Sequence, residues 1–228
     1  MSRNPADVAA GVARTRERIA AAAVRAGRDP GAIEIVAAVK YLEVEDLPLL
    51  HAAGITRVGE NRTDQLIAKQ EAYGDLFTWD FIGHLQSRKV KEIAGRVALI
   101  HSLSTASTAA QIESRSPAPQ EVLIEVNTAA DPAKEGVAPD ALDAFLEELA
   151  PLGNVVVTGL MTMPAFAEDP EASRPAFAAL RELAARCDER WAGTHRFDRL
   201  SMGTSQDFEV AVEEGATLVR AGSVLLGP

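Results

Sequence analysis

The sequence predicts an α/β fold, a single TIM-type (β/α)8 barrel spanning residues 1–228 and preceded by an N-terminal helix. Three observations carry that reading. Eight short apolar or β-branched runs alternate with helical patterns, glycines fall between a helix and the next strand, and no Pro/Gly/Ser-rich linker divides the chain.

In chain order, the Ala- and Arg-rich stretch 12–25 has the composition of a transit peptide, but Asp7, Glu17 and Asp29 make it an ordinary amphipathic helix. Strands are expected at 33–39, 56–58, 79–82, 97–101, 122–126, 155–161, 199–202 and 217–220. Helices are expected between them at 44–53, 62–73, 87–95, 105–114, 140–149, 173–191 and 206–214. Gly54, Gly95, Gly153 and Gly215 stand at the helix stops. A doubly wound open sheet is the competing architecture. It would place a glycine-rich dinucleotide turn after the first strand, where Lys40-Tyr41-Leu42 stands instead.

Composition excludes several function classes. With 47% hydrophobic residues the chain can bury a full core, and its net charge of −10 (23 Lys+Arg against 33 Asp+Glu) argues against nucleic acid or an anionic membrane as the main partner. The cluster Arg88, Lys89, Lys91 and Arg96 reads as a solvated helix face. A lone Cys187 permits no internal disulfide and is expected to pack a helix, as suits a reducing compartment. No run approaches the ~18 apolar residues of a membrane span, and no secretory core opens the chain, so the expected location is cytoplasmic.

Function in a barrel gathers at the carboxyl ends of the strands. There the sequence offers Lys40, Gly59-Glu60-Asn61, Gly83-His84, His101-Ser102, Asn127-Thr128, Met161-Thr162-Met163, Ser201 to Ser205, and Arg220-Ala221-Gly222-Ser223. Lys40 closes an apolar run. A strand that delivers an amine into an apolar cavity disfavours the ammonium form and frees the nitrogen to attack a carbonyl as a Schiff-base lysine. Gly203-Thr204-Ser205 and Gly222-Ser223 follow the seventh and eighth strands, where barrels of this kind commonly hold phosphate on backbone N–H groups. Capping by Ser205 and a glycine turn explain either cluster alone, but not both together at those two strands. An imine-forming lysine beside a phosphate cradle points to a phosphorylated aldehyde or ketone, and pyridoxal 5'-phosphate (PLP) combines both groups.

Val39-Lys40, Gly59-Glu60-Asn61, Phe81 to Ser87, Gly159 to Pro164, Leu200 to Asp207 and Val219 to Ser223 closely resemble, in order, segments of the pyridoxal phosphate homeostasis protein family (YggS/PROSC type). The resemblance implies a single-domain barrel similar to the alanine racemase N-terminal domain, with PLP held as a Schiff base on Lys40. It implies phosphate contacts from Ser205 and from the backbone of Thr204, Gly222 and Ser223, a cofactor contact from Asn61, and Arg220 facing the pyridine nitrogen. An arginine there stays charged and weakens the ring as an electron sink. The sequence departs from the family's commoner pattern at Arg62, Thr63, Asp64, Arg88 and Ser223. Lys134, in a loop, also resembles a family element and is the second choice for the reactive amine.

Among the histidines, His84 invites a general-base reading but fits a turn or surface position, since relatives carry proline there; His101 could cap a strand end. His51 and His195 are expected on helix or loop surface. No spacing suggests a Ser-His-Asp triad or a metal site. The expected function is therefore a non-enzymatic, monomeric PLP-binding protein of vitamin B6 homeostasis, whose partners are PLP and possible PLP-dependent apo-enzymes. The alternatives are a PLP-dependent amino-acid racemase and a Schiff-base aldolase. A racemase of the related fold would take a second base, a tyrosine, from a following domain, whereas this sequence stops after the eighth strand and holds only Tyr41 and Tyr73. Tyr41 is expected to point away from Lys40 if the strand continues through both.

Overall fold

Asn4 opens the first helix by accepting a hydrogen bond from the Ala6 amide, Pro5 occupies the first turn, and Arg25 sits in the last, so both ends of α1 (Pro5–Arg25) are favourably terminated. Its apolar stripe of Val8, Val12, Ile19, Ala22 and Ala23 is buried. Gly11 lets it press against the C-terminal segment: a Cβ there would lie 2.6 Å from the Leu225 carbonyl oxygen. The computed structural model describes residues 3–129 and 135–227.

Eight strands follow: β1 (Glu34–Ala38), β2 (Arg57–Glu60), β3 (Thr78–Phe81), β4 (Leu99–Leu103), β5 (Gln120–Glu125), β6 (Val155–Met161), β7 (Arg199–Thr204) and β8 (Leu218–Ala221). All pair in parallel in sequence order, and β1 pairs with β8 from Glu34↔Leu218 to Ala37↔Ala221, which closes the barrel. Between them run α2 (Leu47–Ala52), α3 (Thr63–Tyr73), α4 (Val90–Ile93), α5 (Ala106–Arg115), α6 (Leu142–Leu149), α7 (Arg174–Arg190) and α8 (Phe208–Glu213). The expected barrel with a leading helix is what forms. The expected helices at 44–53 and 87–95 begin as 3-10 turns, so α2 and α4 are shorter than the sequence pattern suggests.

Two strand boundaries matter for the site. β4 runs to Leu103 rather than ending at His101, so His101 lies within the strand and is fully buried. β1 ends at Ala38, and the chain turns at Lys40 and Tyr41. A strand that stops early releases both side chains from the alternation of a pleat.

The larger hydrophobic core lies between strands and helices, while Val36, Leu99, Leu123, Met161 and Leu218 form a separate cluster. Gly159 in β6 permits close strand approach, since a Cβ would sit 1.9 Å from the Arg199 carbonyl oxygen. Cys187 is buried on α7, and burial, helped by Asp143, pushes its thiol up to about 11, which leaves it an inert packing group. Among the described residues no helix is long and apolar enough to cross a membrane.

Candidate functional site

A cavity of about 760 Å³ opens at the carboxyl ends of the strands, within the roughly 300–1,000 Å³ usual for small-molecule sites. Lys40, Asn61, Thr204, Ser205, Arg220, Gly222 and Ser223 all line it. The barrel thus brings together residues drawn from four strand ends.

Lys40 sits on the turn after β1 and is exposed, so the desolvation anticipated for a lysine at the end of an apolar strand is not what surrounds it. Its Nζ lies 4.8 Å from the centroid of the Tyr41 ring. Tyr41 therefore does not point away from Lys40: both side chains line the cavity, because β1 has already ended. Exposed Tyr41, Met163 and Phe166 surround the mouth with apolar surface that a bound ring can cover.

The loops after β7 and β8 meet across the cavity. Gly203 adopts φ +88°, a left-handed conformation that turns the chain toward α8. Asp207 holds this loop by accepting from the Thr204 amide (2.7 Å), the Thr204 hydroxyl (3.0 Å) and the Ser173 hydroxyl (2.9 Å). It is a loop anchor, and it already engages the Thr204 N–H that was expected for phosphate. The Gly222 amide donates to Ser205 Oγ at 3.0 Å, tying the two loops together. The amides of Ser205 and Ser223 have no hydrogen-bond partner among the described residues. Two open donors and two hydroxyls are what an anion needs.

Arg220 rises from β8 at 6% exposure. Its Nη1 donates to Ser201 Oγ (2.5 Å) and its Nη2 to the Thr162 carbonyl (2.9 Å). Burial brings the guanidinium down to about 10, opposed by Glu125 and Asp207, so it remains a cation near neutral pH. Asn61 contributes a buried Oδ1 without a hydrogen-bond partner, an unmet polar group at the cavity wall.

Sequence reasoning missed the pair that sets these strand ends. Lys69 of α3 is 1% exposed and donates to Glu60 Oε2 (2.5 Å) and to the Val39 carbonyl (2.7 Å). Glu60, fully buried, accepts with its other oxygen from the amides of Asn61 (2.7 Å) and Arg62 (3.3 Å). One ion pair thereby fixes the residue before Lys40 and the turn that carries Asn61. The available signal was a lysine on the same helix side as Leu66, three residues earlier.

The histidines divide. His84 is an exposed cavity-wall residue paired with Glu135, in keeping with a surface position. His51 is exposed, edge-on to Phe77. His195 is not on the surface: it is 7% exposed, and its Nε2 contacts the Leu146 carbonyl at 3.2 Å, because the segment after α7 folds back under Trp191. His101 does not cap a strand end but lies between Asp80 and Ser201 inside the barrel. Lys134 falls outside the described residues. Among the described residues no group of His, Cys, Asp and Glu could hold a metal ion.

The family profile described as "Alanine racemase, N-terminal domain" matches residues 13–228. A curated "Pyridoxal phosphate homeostasis protein" from Aquifex aeolicus is 42% identical over 220 residues, covering 95% of this chain and 96% of its own. The protein of the same name from Pseudomonas aeruginosa is 36% identical over 224 residues. The chain belongs to the pyridoxal phosphate homeostasis protein family. Among solved structures, PipY of Synechococcus elongatus PCC7942 with PLP bound superposes on this family member with a TM-score of 0.80 at 29% identity, over 93% of this chain and 99% of PipY. Alanine racemase from Corynebacterium glutamicum superposes with a TM-score of 0.77 at 14% identity and has 63% of its chain covered, a likeness of fold.

Proposed function

We propose that this protein binds PLP in the barrel mouth, holds it as a Schiff base on Lys40, and serves vitamin B6 homeostasis as a carrier without robust catalytic turnover. The observation that carries this reading is the convergence of an accessible primary amine, two open loop amides and a buried cation on one cavity, in a chain 42% identical to a pyridoxal phosphate homeostasis protein. When bound, PLP supplies an aldehyde carbon that takes the Lys40 nitrogen with loss of water, a phosphate, and a heterocycle nitrogen.

The residues present fit that group. Ser205 and Ser223 offer amides and hydroxyls to the phosphate, and displacement of the Gly222 N–H from Ser205 Oγ adds a third donor. Asn61 brings its unmet polar group to the ring's edge. Arg220, held by two acceptors, presents positive charge to the ring nitrogen and has no readily released proton to give it, so the ring stays a poor electron sink. A racemase would need a second base facing the first across the bound ring, whereas Tyr41 lies beside the Lys40 amine. A monomeric, cytoplasmic protein that supplies PLP to apo-enzymes is the setting that suits these features.

The deciding measurement is an absorption spectrum with PLP, followed by borohydride reduction and peptide mapping. A yellow chromophore and a label on Lys40, both lost in Lys40→Ala, are expected. A full-strength chromophore in Lys40→Ala, or sustained amino-acid racemisation by pure protein at enzyme-like rates, would overturn the proposal.

A further inference from the structure

Side chains inside a (β/α)8 barrel are usually packed layers of branched apolar groups. Here Asp80, His101 and Ser201, all 0% exposed, cross that interior instead. Arg57 grips Asp80 with two bonds, Nε to Oδ2 at 2.7 Å and Nη2 to Oδ1 at 3.2 Å. His101 Nε2 lies 3.1 Å from Asp80 Oδ2, His101 Nδ1 lies 2.8 Å from Ser201 Oγ, and Ser201 Oγ receives Arg220 Nη1 at 2.5 Å. The links run without a break from Arg57 and its partner Glu34, the first residues of β2 and β1, to Arg220 at the mouth. Six strands, β1 to β4, β7 and β8, contribute to it.

Such a chain is costly to bury unless every member is satisfied, and an apolar layer would serve stability as well. It also has a direction. Asp80, gripped by Arg57 as a carboxylate, can only accept, so His101 carries its proton on Nε2 and leaves Nδ1 as an acceptor. Ser201 then donates its hydroxyl proton to Nδ1 and turns its lone pairs to the Arg220 guanidinium. With the other tautomer, Nδ1–H would claim a Ser201 lone pair and the hydroxyl proton would be free to turn toward Arg220, a donor against a donor.

We infer that His101, oriented by Asp80, is a positioning residue for Arg220, and that through Ser201 it fixes the aim of the guanidinium at the heterocycle nitrogen of the bound cofactor. This inference rests on the PLP reading above, and the test separates the two. In the protein without PLP, 15N NMR of the His101 ring near pH 7 should show the Nε2–H tautomer; the Nδ1–H tautomer or an imidazolium would overturn the inference whatever the fate of PLP binding. With PLP, His101→Leu and Ser201→Ala each remove the acceptor path and should weaken PLP retention roughly tenfold to a hundredfold, the worth of a charge-assisted hydrogen bond. Both should also shift the chromophore's absorption band. His101→Asn, whose Oδ1 can replace Nδ1 as acceptor, should stay within about threefold of the parent. Folded His101→Leu or Ser201→Ala protein with parental affinity and spectrum would overturn the inference while leaving the label on Lys40 intact. Absence of that label in the parent protein would instead defeat the PLP reading.

Discussion

Replacing Lys69 by Met tests the ion pair beneath the cavity. Lys69 and Glu60 are 1% and 0% exposed, and the substitution keeps the aliphatic stem while removing the ammonium. Two bonds vanish, to Glu60 Oε2 and to the Val39 carbonyl, and a carboxylate is stranded with two backbone amides. Breaking one side of a buried pair costs about 3–5 kcal/mol, a large share of the ~5–15 kcal/mol typical of a domain. For a chain of this length that corresponds to a fall in Tm of about 6–20 °C. Urea and thermal unfolding measure it. The double variant Lys69→Met/Glu60→Gln removes the stranded charge and should recover at least about 1 kcal/mol of the loss. A single variant within about 1 kcal/mol of the parent, or no coupling in the cycle, would refute the claim that this pair holds the ends of β1 and β2.

Burial lowers the pKa of His101, against the pull of Asp80, and burial likewise lowers that of His195, against its Leu146 bond. The unfolded chain therefore takes up protons first on acidification, so stability should fall as pH drops below about 6.5, by up to about 1.4 kcal/mol per pH unit per histidine. Denaturant titrations between pH 7 and 5 should show that slope, reduced in His101→Asn; a flat profile would contradict neutral buried imidazoles. Gly159→Ala should lower stability by more than about 3 kcal/mol or prevent folding, because its Cβ meets a backbone oxygen at 1.9 Å. Gly74→Ala, with φ −54° and nothing within 4 Å, should be neutral or gain up to about 1 kcal/mol. Ser205→Ala together with Ser223→Ala should weaken binding of PLP more than that of unphosphorylated pyridoxal in spectroscopic titrations; equal effects on both ligands would remove the phosphate from these loops.

The barrel was legible because its signals are local and periodic: the strand runs are short, apolar and alternate with helix patterns, and all eight expected strands are displaced from the observed ones by no more than two residues at either end. The cavity lining was legible because strand ends in this fold converge by geometry, so Lys40, Ser205 and Ser223 could be grouped before any distance was known. What escaped was polar burial. Asp80 falls inside the expected strand 79–82 and Glu60 in the cluster after the second strand, and nothing in their spacing says that Arg57 or Lys69 will meet them. His101 was misplaced by a two-residue error at the end of β4, enough to move a side chain from the rim to the barrel interior. His195 was misplaced for a different reason, since its burial depends on Trp191 and Leu146, contacts made only when the chain after α7 folds back.

The two lysines near the mouth show why environment, not burial alone, selects the reactive amine. A rule that seeks the more buried lysine would choose Lys69 over Lys40. Yet Lys69 donates to a carboxylate at 2.5 Å and to a carbonyl at 2.7 Å, so its nitrogen is committed to two acceptors, and it does not line the cavity. Desolvation favours a nucleophilic amine when it acts without a counter-charge, and Lys69 has Glu60 beside it. Lys40 has the reverse arrangement. It stands exposed over Tyr41 at the cavity wall, among the groups suited to a phosphate and a heterocycle. Its reactivity would then come from proximity, since a ligand gripped at its phosphate presents its aldehyde to this nitrogen at a high effective concentration. Reduction with borohydride should accordingly label Lys40 and spare Lys69. Weakening the phosphate loops should slow labelling at a fixed low PLP concentration, and the loss should disappear at saturating PLP.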